Sequence, residues 1–187
     1  MKTQDIIIIG GGMVGAAAAL GLAKQGLNIA LIEKNPLPSF DANAAYDLRI
    51  SAISITSVKL LEELGAWQAI SQMRVCPYDG LETWEIEGFN TAFHATEIGL
   101  NKLGFMVENN AIQLGLWQAL NQYPNCQQAV GFSQISANYH EQLWTVTVDE
   151  QTFTAPLLIA ADGANSQVRN WAGIGLTGWQ YRQPSLL

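Results

Sequence analysis

The first part of the chain combines short apolar runs with a helical stretch of small residues. The β-branched run over 6–9 is typical of a strand buried on both faces. A glycine-rich turn follows, and then a helix predicted from Met13 to about Gln25. Gly26 stands where a left-handed residue often ends a helix, and a second apolar strand is predicted from Asn28 to Ile32. The pattern therefore predicts a strand–helix–strand unit of a parallel α/β sheet.

Glycine spacing within this unit indicates a nucleotide-binding turn. Gly10, Gly12 and Gly15 form a GxGxxG pattern between the first strand and the helix. Such glycines permit a tight turn, the approach of a pyrophosphate to the backbone, and close packing of the helix on the strand. The motif is informative because it stands in the full order strand, loop, helix, strand and acidic residue. A glycine-rich turn without a ligand is the alternative.

Four further positions belong to this predicted dinucleotide site. Met13 and Val14 open the helix, whose N-terminus offers unpaired N–H groups and a partial positive charge to phosphates. Glu33 lies 18 positions after Gly15 and can accept hydrogen bonds from the ribose hydroxyls of an adenosine. Lys34 follows it.

The rest of the chain predicts an excursion from this fold and a return to it. An antiparallel hairpin over 81–97 does not belong in a doubly wound sheet, so it predicts a second domain. The predicted elements are helices over 54–64 (capped by Ser54), 66–73 and 111–122, a turn over 77–80, strands over 81–87 and 91–97 with a turn at 88–90, strands near 129–137 and 143–148, a strand over 157–161, and a short helix starting near Ser166.

Composition excludes several classes of protein. The formal net charge of −7 makes nucleic acid a poor partner. Cys76 and Cys126 form no CxxC motif, and the two histidines have no zinc or triad spacing, so no metal site is predicted. The uncharged stretch after Asp5 is too rich in glycine for a signal peptide or membrane anchor. We expect a cytoplasmic protein.

Several segments resemble one flavoprotein family. LIAADGANSQVR resembles the DG motif of the FAD-dependent aromatic hydroxylases, the single-component flavin monooxygenases. The blocks DLRISAIS, LLEELGAW and MVENNAIQLGLWQAL are similar to the subfamily that hydroxylates the ubiquinone ring. The resemblance implies an FAD/NAD(P)-binding Rossmann-like α/β fold with an antiparallel excursion into a substrate domain. Family members are considerably longer, so we expect this chain to be a truncated, N-terminal part.

The resemblance also implies a domain division. The FAD-binding domain is expected over 1–75 and 109–175, the latter with a β-meander. Residues 76–108 would contribute strands to the substrate domain, and 176–187 would begin its truncated remainder.

The activity implied by the resemblance is hydroxylation of a polyprenylated benzoquinol. The resemblance implies that FAD is reduced by NADH or NADPH and that molecular oxygen then gives a flavin C4a-hydroperoxide, which attacks the ring. The protein supplies position and dryness, so no catalytic side chain is assigned. The chain alone is expected to be inactive and to self-associate through exposed apolar surface. Contact with the membrane periphery or with a biosynthetic complex is also expected.

By the same resemblance, the three glycines and Glu33 hold the ADP half of FAD. Arg49 approaches the pyrophosphate or ribityl region, the alternative being a surface salt bridge with Asp47. Gln113 reaches the ribityl side, the alternative being a solvated helix face. Val130 touches the adenosine through its backbone, or is simply a strand residue.

The DG segment supplies the remaining predicted contacts. Asp162 would lie near the flavin pyrophosphate and the nicotinamide site, with Gly163 allowing close approach. Arg169 would orient Asp162 or meet a phosphate. A helix-capping Asp162 paired with Arg169 is the alternative.

Two other functions remain open from the sequence. The strand–helix–strand unit alone also permits an NAD-dependent dehydrogenase, because Glu33 suits NAD as well as FAD. A nucleotide-binding fragment without activity is the third hypothesis.

Overall fold

The computed structural model describes residues 2–86 and 88–179. Its strands are β1 (Lys2–Thr3), β2 (Ile6–Ile9), β3 (Ile29–Glu33), β4 (Ile50–Ser54), β5 (Val75–Tyr78), β6 (Gly80–Ile86), β7 (Phe89–His94), β8 (Gly104–Glu108), β9 (Cys126–Val130), β10 (Ile135–His140), β11 (Leu143–Val148), β12 (Gln151–Ala155) and β13 (Leu157–Ala160). Its α-helices are α1 (Met13–Lys24), α2 (Ile55–Glu63), α3 (Trp67–Ser71), α4 (Asn109–Leu120) and α5 (Gln167–Trp171). The chain divides into two compact units, one of residues 1–37 and 119–187 and one of residues 38–118.

The first unit is built on a four-stranded parallel sheet with the order β13-β2-β3-β9. Every residue of β2 and β3 is buried, as a sheet covered on both faces requires. Helix α1 packs on β2, β3 and β9 through its small buried residues, among them Ala16, Ala19 and Ala23. Short side chains let this helix lie close to the strands.

A second sheet, with the order β1-β12-β11-β10, supplies a β-meander to the same unit. Because side chains alternate between the two faces of a strand, Ile7 and Ile9 point to one face while Ile6 and Ile8 point to the other. The first pair enters a shared apolar core with buried residues of the parallel sheet, the meander and α5. The other buried members of that core are Ala30, Ile32, Ala129, Val146, Val148, Phe153, Ala155 and Val168.

The second unit contains an antiparallel sheet with the order β4-β8-β5 and a separate hairpin of β6 and β7. Helix α2 packs on β4 and β8 and on α3. Ser54 caps α2, since its hydroxyl accepts a hydrogen bond from the Ser57 N–H at 3.2 Å. This cap confirms the predicted start of the helix.

The predicted strand–helix–strand unit is confirmed almost residue for residue. Strand β2 has the predicted bounds, and α1 ends one residue earlier than expected. Gly26 has a φ of +87°, as predicted for the residue that follows a helix. The predicted strand over 143–148 and the short helix after Ser166 are also present.

Three local predictions are wrong. Pro77 and Tyr78 belong to β5 rather than to a turn, and β5 is an edge strand, where the missing N–H of a proline is tolerated. The hairpin turn is tighter than predicted, because Phe89 and Asn90 already pair in β7. The single strand near 129–137 is two strands, β9 in the parallel sheet and β10 in the meander.

The described residues contain no helix that is both long and apolar enough to cross a membrane. Among the same residues, no three or more His, Cys, Asp or Glu side chains lie close enough together to hold a metal ion.

The two cysteines are expected to differ sharply in reactivity. Burial raises the pKa of the Cys126 thiol to about 11, whereas Cys76 is exposed. Thiolate is the reactive species, so at pH 8 only about one thousandth of the Cys126 thiol is reactive. A thiol-reactive dye should therefore modify one cysteine rapidly in the native chain and the second only after denaturation. Rapid modification of a Cys76→Ser variant under native conditions would contradict this burial.

Candidate cofactor-binding site

The predicted site residues of the first unit gather at the carboxyl edge of the parallel sheet. In register, Ile9 of β2 pairs with Ala160 of β13 and with Ile32 of β3, and Glu33 pairs with Val130 of β9. The chain runs from β2 to β3 on one side, while β13 is added on the other. Ligands of open α/β sheets bind at such a point, where the strand order reverses.

Gly10 and Gly15 are required by the packing of this edge. Gly10 has a φ of +101°, and a Cβ there would overlap the Ala161 carbonyl oxygen. A Cβ on Gly15 would overlap the Gly10 carbonyl oxygen and come within 3.0 Å of the Ala161 Cβ. Both glycines therefore let α1 and the end of β13 close on the turn after β2.

Gly12 is different, because the fold does not require a glycine there. Its φ of −65° and ψ of −173° suit any residue, and no described atom from beyond its neighbours along the chain lies within 4 Å of where a Cβ would stand. Gly12 is the N-cap of α1, and no side chain in the described ranges caps it. The first turn of α1 also carries no acidic residue. Open space beside uncapped N–H groups fits a phosphate anion.

Glu33 lies at the end of β3 and is only 9% exposed. Its Oε2 accepts a hydrogen bond from the Gly11 N–H at 2.6 Å, and its Oε1 accepts one from the Asn35 N–H at 2.8 Å. A carboxylate offers about four acceptor positions, so capacity remains for ribose hydroxyls. The sequence does not reveal the contacts to Gly11 and Asn35, because both donors are backbone N–H groups that any residue would supply.

Four other predicted residues lie at this edge, and they differ in how exposed they are to solvent. Val130 is 40% exposed, and the next N–H in the chain, that of Gly131, donates to the Glu33 carbonyl at 3.0 Å. Lys34 is exposed beside Glu33. At the start of α1, Met13 is half-buried and Val14 is 73% exposed.

Asp162 follows β13 and binds the start of α5. Its carboxylate accepts hydrogen bonds from the Ser166 hydroxyl at 2.6 Å and from the N–H groups of Gln167 and Val168 at 2.7 and 3.1 Å. Burial acts to raise its pKa, but the hydrogen bonds from Ser166, Val168 and Gln167 outweigh burial and hold the pKa below its usual value. Asp162 is therefore an ionised side chain fixed by the helix that follows it.

Arg169 does not supply the contact that orients Asp162. Its Nη1 donates instead to the Ala164 carbonyl at 3.0 Å, while its backbone N–H donates to the Ser166 hydroxyl. Gly163 has a φ of +80° and an open surrounding among the described atoms. Asp162 therefore caps the helix as the alternative prediction stated, but it does not form an ion pair with Arg169.

The second unit holds the other two predicted contacts, Arg49 and Gln113. Arg49 is exposed and directly precedes β4. The Asp47 carboxylate accepts a hydrogen bond from the backbone N–H of Arg49 at 2.9 Å rather than from its guanidinium. Gln113 lies half-buried on α4.

The chain belongs to a family of flavin-binding proteins. Residues 3–185 match the model of the family described as FAD binding domain, and the chain belongs to that family. The chain is 47% identical to 3-demethoxyubiquinol 3-hydroxylase of Escherichia coli K12, over the whole chain and 48% of that protein. It is 30% identical to the mitochondrial ubiquinone biosynthesis monooxygenase COQ6 of Rattus norvegicus, over the whole chain and 42% of that protein.

Solved structures agree on the fold. The flavin-dependent monooxygenase PieE, solved in complex with FAD and substrate, matches 95% of this chain with a TM-score of 0.71 at 20% identity. That match covers 33% of PieE. The FAD-binding α/β fold expected from the sequence is confirmed, and the chain spans about half the length of the curated relatives it matches.

Replacing the two glycines around the start of α1 should separate packing from binding. Gly15→Ala forces a Cβ into the Gly10 carbonyl and should cost roughly 1–3 kcal/mol or more in the free energy of unfolding. Gly12→Ala meets open space and should change that free energy by less than about 1 kcal/mol. Urea denaturation of both variants measures the difference. Equal destabilisation would contradict the open surrounding of Gly12.

Asp162→Asn should destabilise the fold in a pH-dependent way. The folded-state pKa of Asp162 lies below its unfolded value, so its charge stabilises the fold fully above the unfolded pKa of about 3.9 and progressively less as pH falls through the folded pKa. At pH 7 the variant should lose on the order of 1 kcal/mol, because Asn accepts fewer hydrogen bonds.

Denaturation between pH 7 and pH 2.5 checks the dependence on Asp162. The difference in the free energy of unfolding between Asp162→Asn and the unaltered chain should disappear at the acidic end of this range. Glu150→Gln, which removes an exposed carboxylate of the same unit, is the control and should show little effect at any pH. A gap for Asp162→Asn that stays constant with pH would exclude the role of its charge.

Proposed function

We propose that this chain binds FAD as part of a flavin-dependent monooxygenase that hydroxylates the ring of a polyprenylated benzoquinol in ubiquinone biosynthesis. The observation that carries the proposal is Gly12. A glycine that the fold does not need stands at the uncapped start of α1, where the strand order reverses. Within an FAD-binding family, space kept free of side chains at this point suits the pyrophosphate.

The residues of the first unit suit the ADP half of the cofactor. Backbone N–H groups at the start of α1, including those of Met13 and Val14, would neutralise the pyrophosphate. Glu33 would accept hydrogen bonds from the ribose, with Lys34 and the backbone of Val130 beside the adenosine. Gly10 and Gly15 act indirectly by letting the turn close.

The DG segment would act through the Asp162 carboxylate, which is held in place by hydrogen bonds that offset its negative charge. A bare carboxylate beside a pyrophosphate would be repelled, but Asp162 has its charge balanced by Ser166 and the N–H groups of α5. We assign Asp162 and Gly163 to the surroundings of the pyrophosphate and the nicotinamide site, and Arg169 to holding this segment through Ala164.

We also propose Arg49 and Gln113 as cofactor contacts, as the family resemblance implies. The guanidinium of Arg49, an exposed residue, would pair with phosphate oxygens, since charge-assisted hydrogen bonds to phosphate are strong. Gln113 would offer its amide to the ribityl hydroxyls. We retain the domain division 1–75, 76–108, 109–175 and 176–187 as part of this proposal.

The chemistry would come from the cofactor rather than from a side chain. When bound, FAD would supply the redox chemistry for hydroxylating an electron-rich ring, with NADH or NADPH as the reductant and molecular oxygen as the oxidant. This chain's residues would bind and orient the cofactor and exclude water from it. The substrate class follows from the names of the two curated relatives, which concern demethoxyubiquinol hydroxylation and ubiquinone biosynthesis. The proposal also places the protein in the cytoplasm, at the periphery of the inner membrane, because the isoprenoid tail of such a substrate is apolar.

Titration of the 187-residue chain with FAD, followed by flavin fluorescence, tests the proposal directly. We expect saturable FAD binding and weaker binding of NADH. Gly12→Ala should weaken FAD binding at least about tenfold, because its methyl group fills the place of a phosphate contact worth roughly 1.5 kcal/mol or more. The matched control is Gly175→Ala, which also meets open surroundings among the described residues and lies outside the site.

Each result of that titration decides between hypotheses. NADH binding without FAD binding would favour the dehydrogenase hypothesis and overturn the flavoprotein one. Binding of neither nucleotide would show that this chain does not form the site by itself. Equal FAD affinity of the Gly12→Ala and Gly175→Ala variants would show that the pyrophosphate does not bind at the start of α1.

A further inference from the structure

One arginine holds an exposed segment that has no regular structure. Residues 40–47 lie between β3 and β4, contain no helix or strand, and are mostly exposed. Tyr46 is 69% exposed and Phe40 is 37% exposed, so apolar burial contributes little to fixing this segment. Polar contacts hold it instead, most of them from Arg74, which lies just before β5.

Arg74 contacts the segment through its two terminal guanidinium nitrogens and the face of the guanidinium. Its Nη1 donates to the Ala44 carbonyl at 2.7 Å, and its Nη2 lies 3.5 Å from the Ala45 carbonyl. The guanidinium carbon lies 4.5 Å from the centre of the Tyr46 ring and 5.5 Å from that of Phe40. These are cation–π distances.

Glu108 joins Arg74 to the end of the same segment. It is the last residue of β8 and its side chain is 6% exposed. Its Oε1 pairs with the Arg74 Nη2 at 3.1 Å and accepts a hydrogen bond from the Asp47 N–H at 2.6 Å. A buried carboxylate of this kind is costly unless it is paired, so the two side chains depend on each other.

The contacts continue from Asp47 to Arg49. The Asp47 carboxylate accepts the Arg49 N–H at 2.9 Å, and the Arg49 carbonyl accepts the Asn109 N–H at 2.9 Å. The backbone of Arg49 is therefore fixed on both sides, while the residue as a whole is exposed. A fixed backbone carrying an exposed cation is suited to presenting that cation to an anion.

We propose that Arg74 and Glu108 are positioning residues that hold segment 40–47 and thereby present Arg49 to the phosphate or ribityl region of the cofactor. This role rests on the proposed function, because it requires Arg49 to contact FAD. Lysine would not replace Arg74, since a single ammonium cannot bridge two carbonyls and a carboxylate while stacking on an aromatic ring.

Two conservative variants test the role without removing the packed side chains. Arg74→Lys keeps the charge and loses the planar fork, and Glu108→Gln keeps an acceptor for Asp47 and loses the ion pair. Glu97→Gln, at an exposed glutamate of the same unit, is the matched control. Hydrogen exchange of peptides covering 40–49 and FAD affinity are measured for each variant, with α2 peptides as an internal reference.

We expect both variants to speed exchange over 40–49, to leave exchange in α2 unchanged, and to weaken FAD binding several-fold. Arg49→Ala should weaken FAD binding at least about tenfold, as expected for loss of a charged hydrogen bond. In the Arg49→Ala background, Arg74→Lys should have no further effect on affinity, because a positioning residue acts through the residue it positions. A role in stability alone would not give this non-additivity.

Three results would overturn the positioning role. They are unchanged exchange over 40–49, additive losses of affinity for Arg74→Lys and Arg49→Ala, and full affinity of Arg49→Ala. Failure of the proposed function looks different, since the unaltered chain then binds no FAD. In that case the positioning role falls with it, even if exchange over 40–49 responds to Arg74.

Discussion

Close packing of backbone around the turn after β2 is the constraint on which the first unit depends. The Ala161 N–H donates to the Ile9 carbonyl at 2.7 Å, and the Ala161 carbonyl occupies the space a side chain on Gly10 would need. Gly15 lets α1 meet the same turn. Because three chain segments meet here without intervening side chains, the start of α1, the end of β3 and the DG segment share one edge of the sheet.

The charges at this edge are arranged around backbone donors. Glu33 and Asp162 both accept N–H groups of nearby loops or helix starts, so each carboxylate is fixed where it lies. The start of α1 has no such carboxylate in its first turn. A site for an anionic cofactor needs this asymmetry, since its own phosphates must supply the negative charge at α1.

In the second unit, ordering of the 40–47 segment comes from polar contacts rather than from a core. A single guanidinium binds two carbonyls and a buried carboxylate, and the same carboxylate binds the Asp47 N–H. Such an arrangement fixes the backbone before Arg49 with little apolar burial. It therefore combines exposure of a cation with a defined position.

The sequence by itself determined the strand–helix–strand unit, its glycine pattern, the place of Glu33 after the second predicted strand and the cap at Ser54, because each follows from a pattern of residues close along the chain. Only the tertiary structure decided which strands share a sheet, and so it separated β9 from β10 and kept Pro77 in an edge strand. It also distinguished Gly12, which the fold leaves free, from Gly10 and Gly15, which the packing requires. The pairing of Arg74 with Glu108 joins residues 34 positions apart, and no local pattern encodes a contact at that distance.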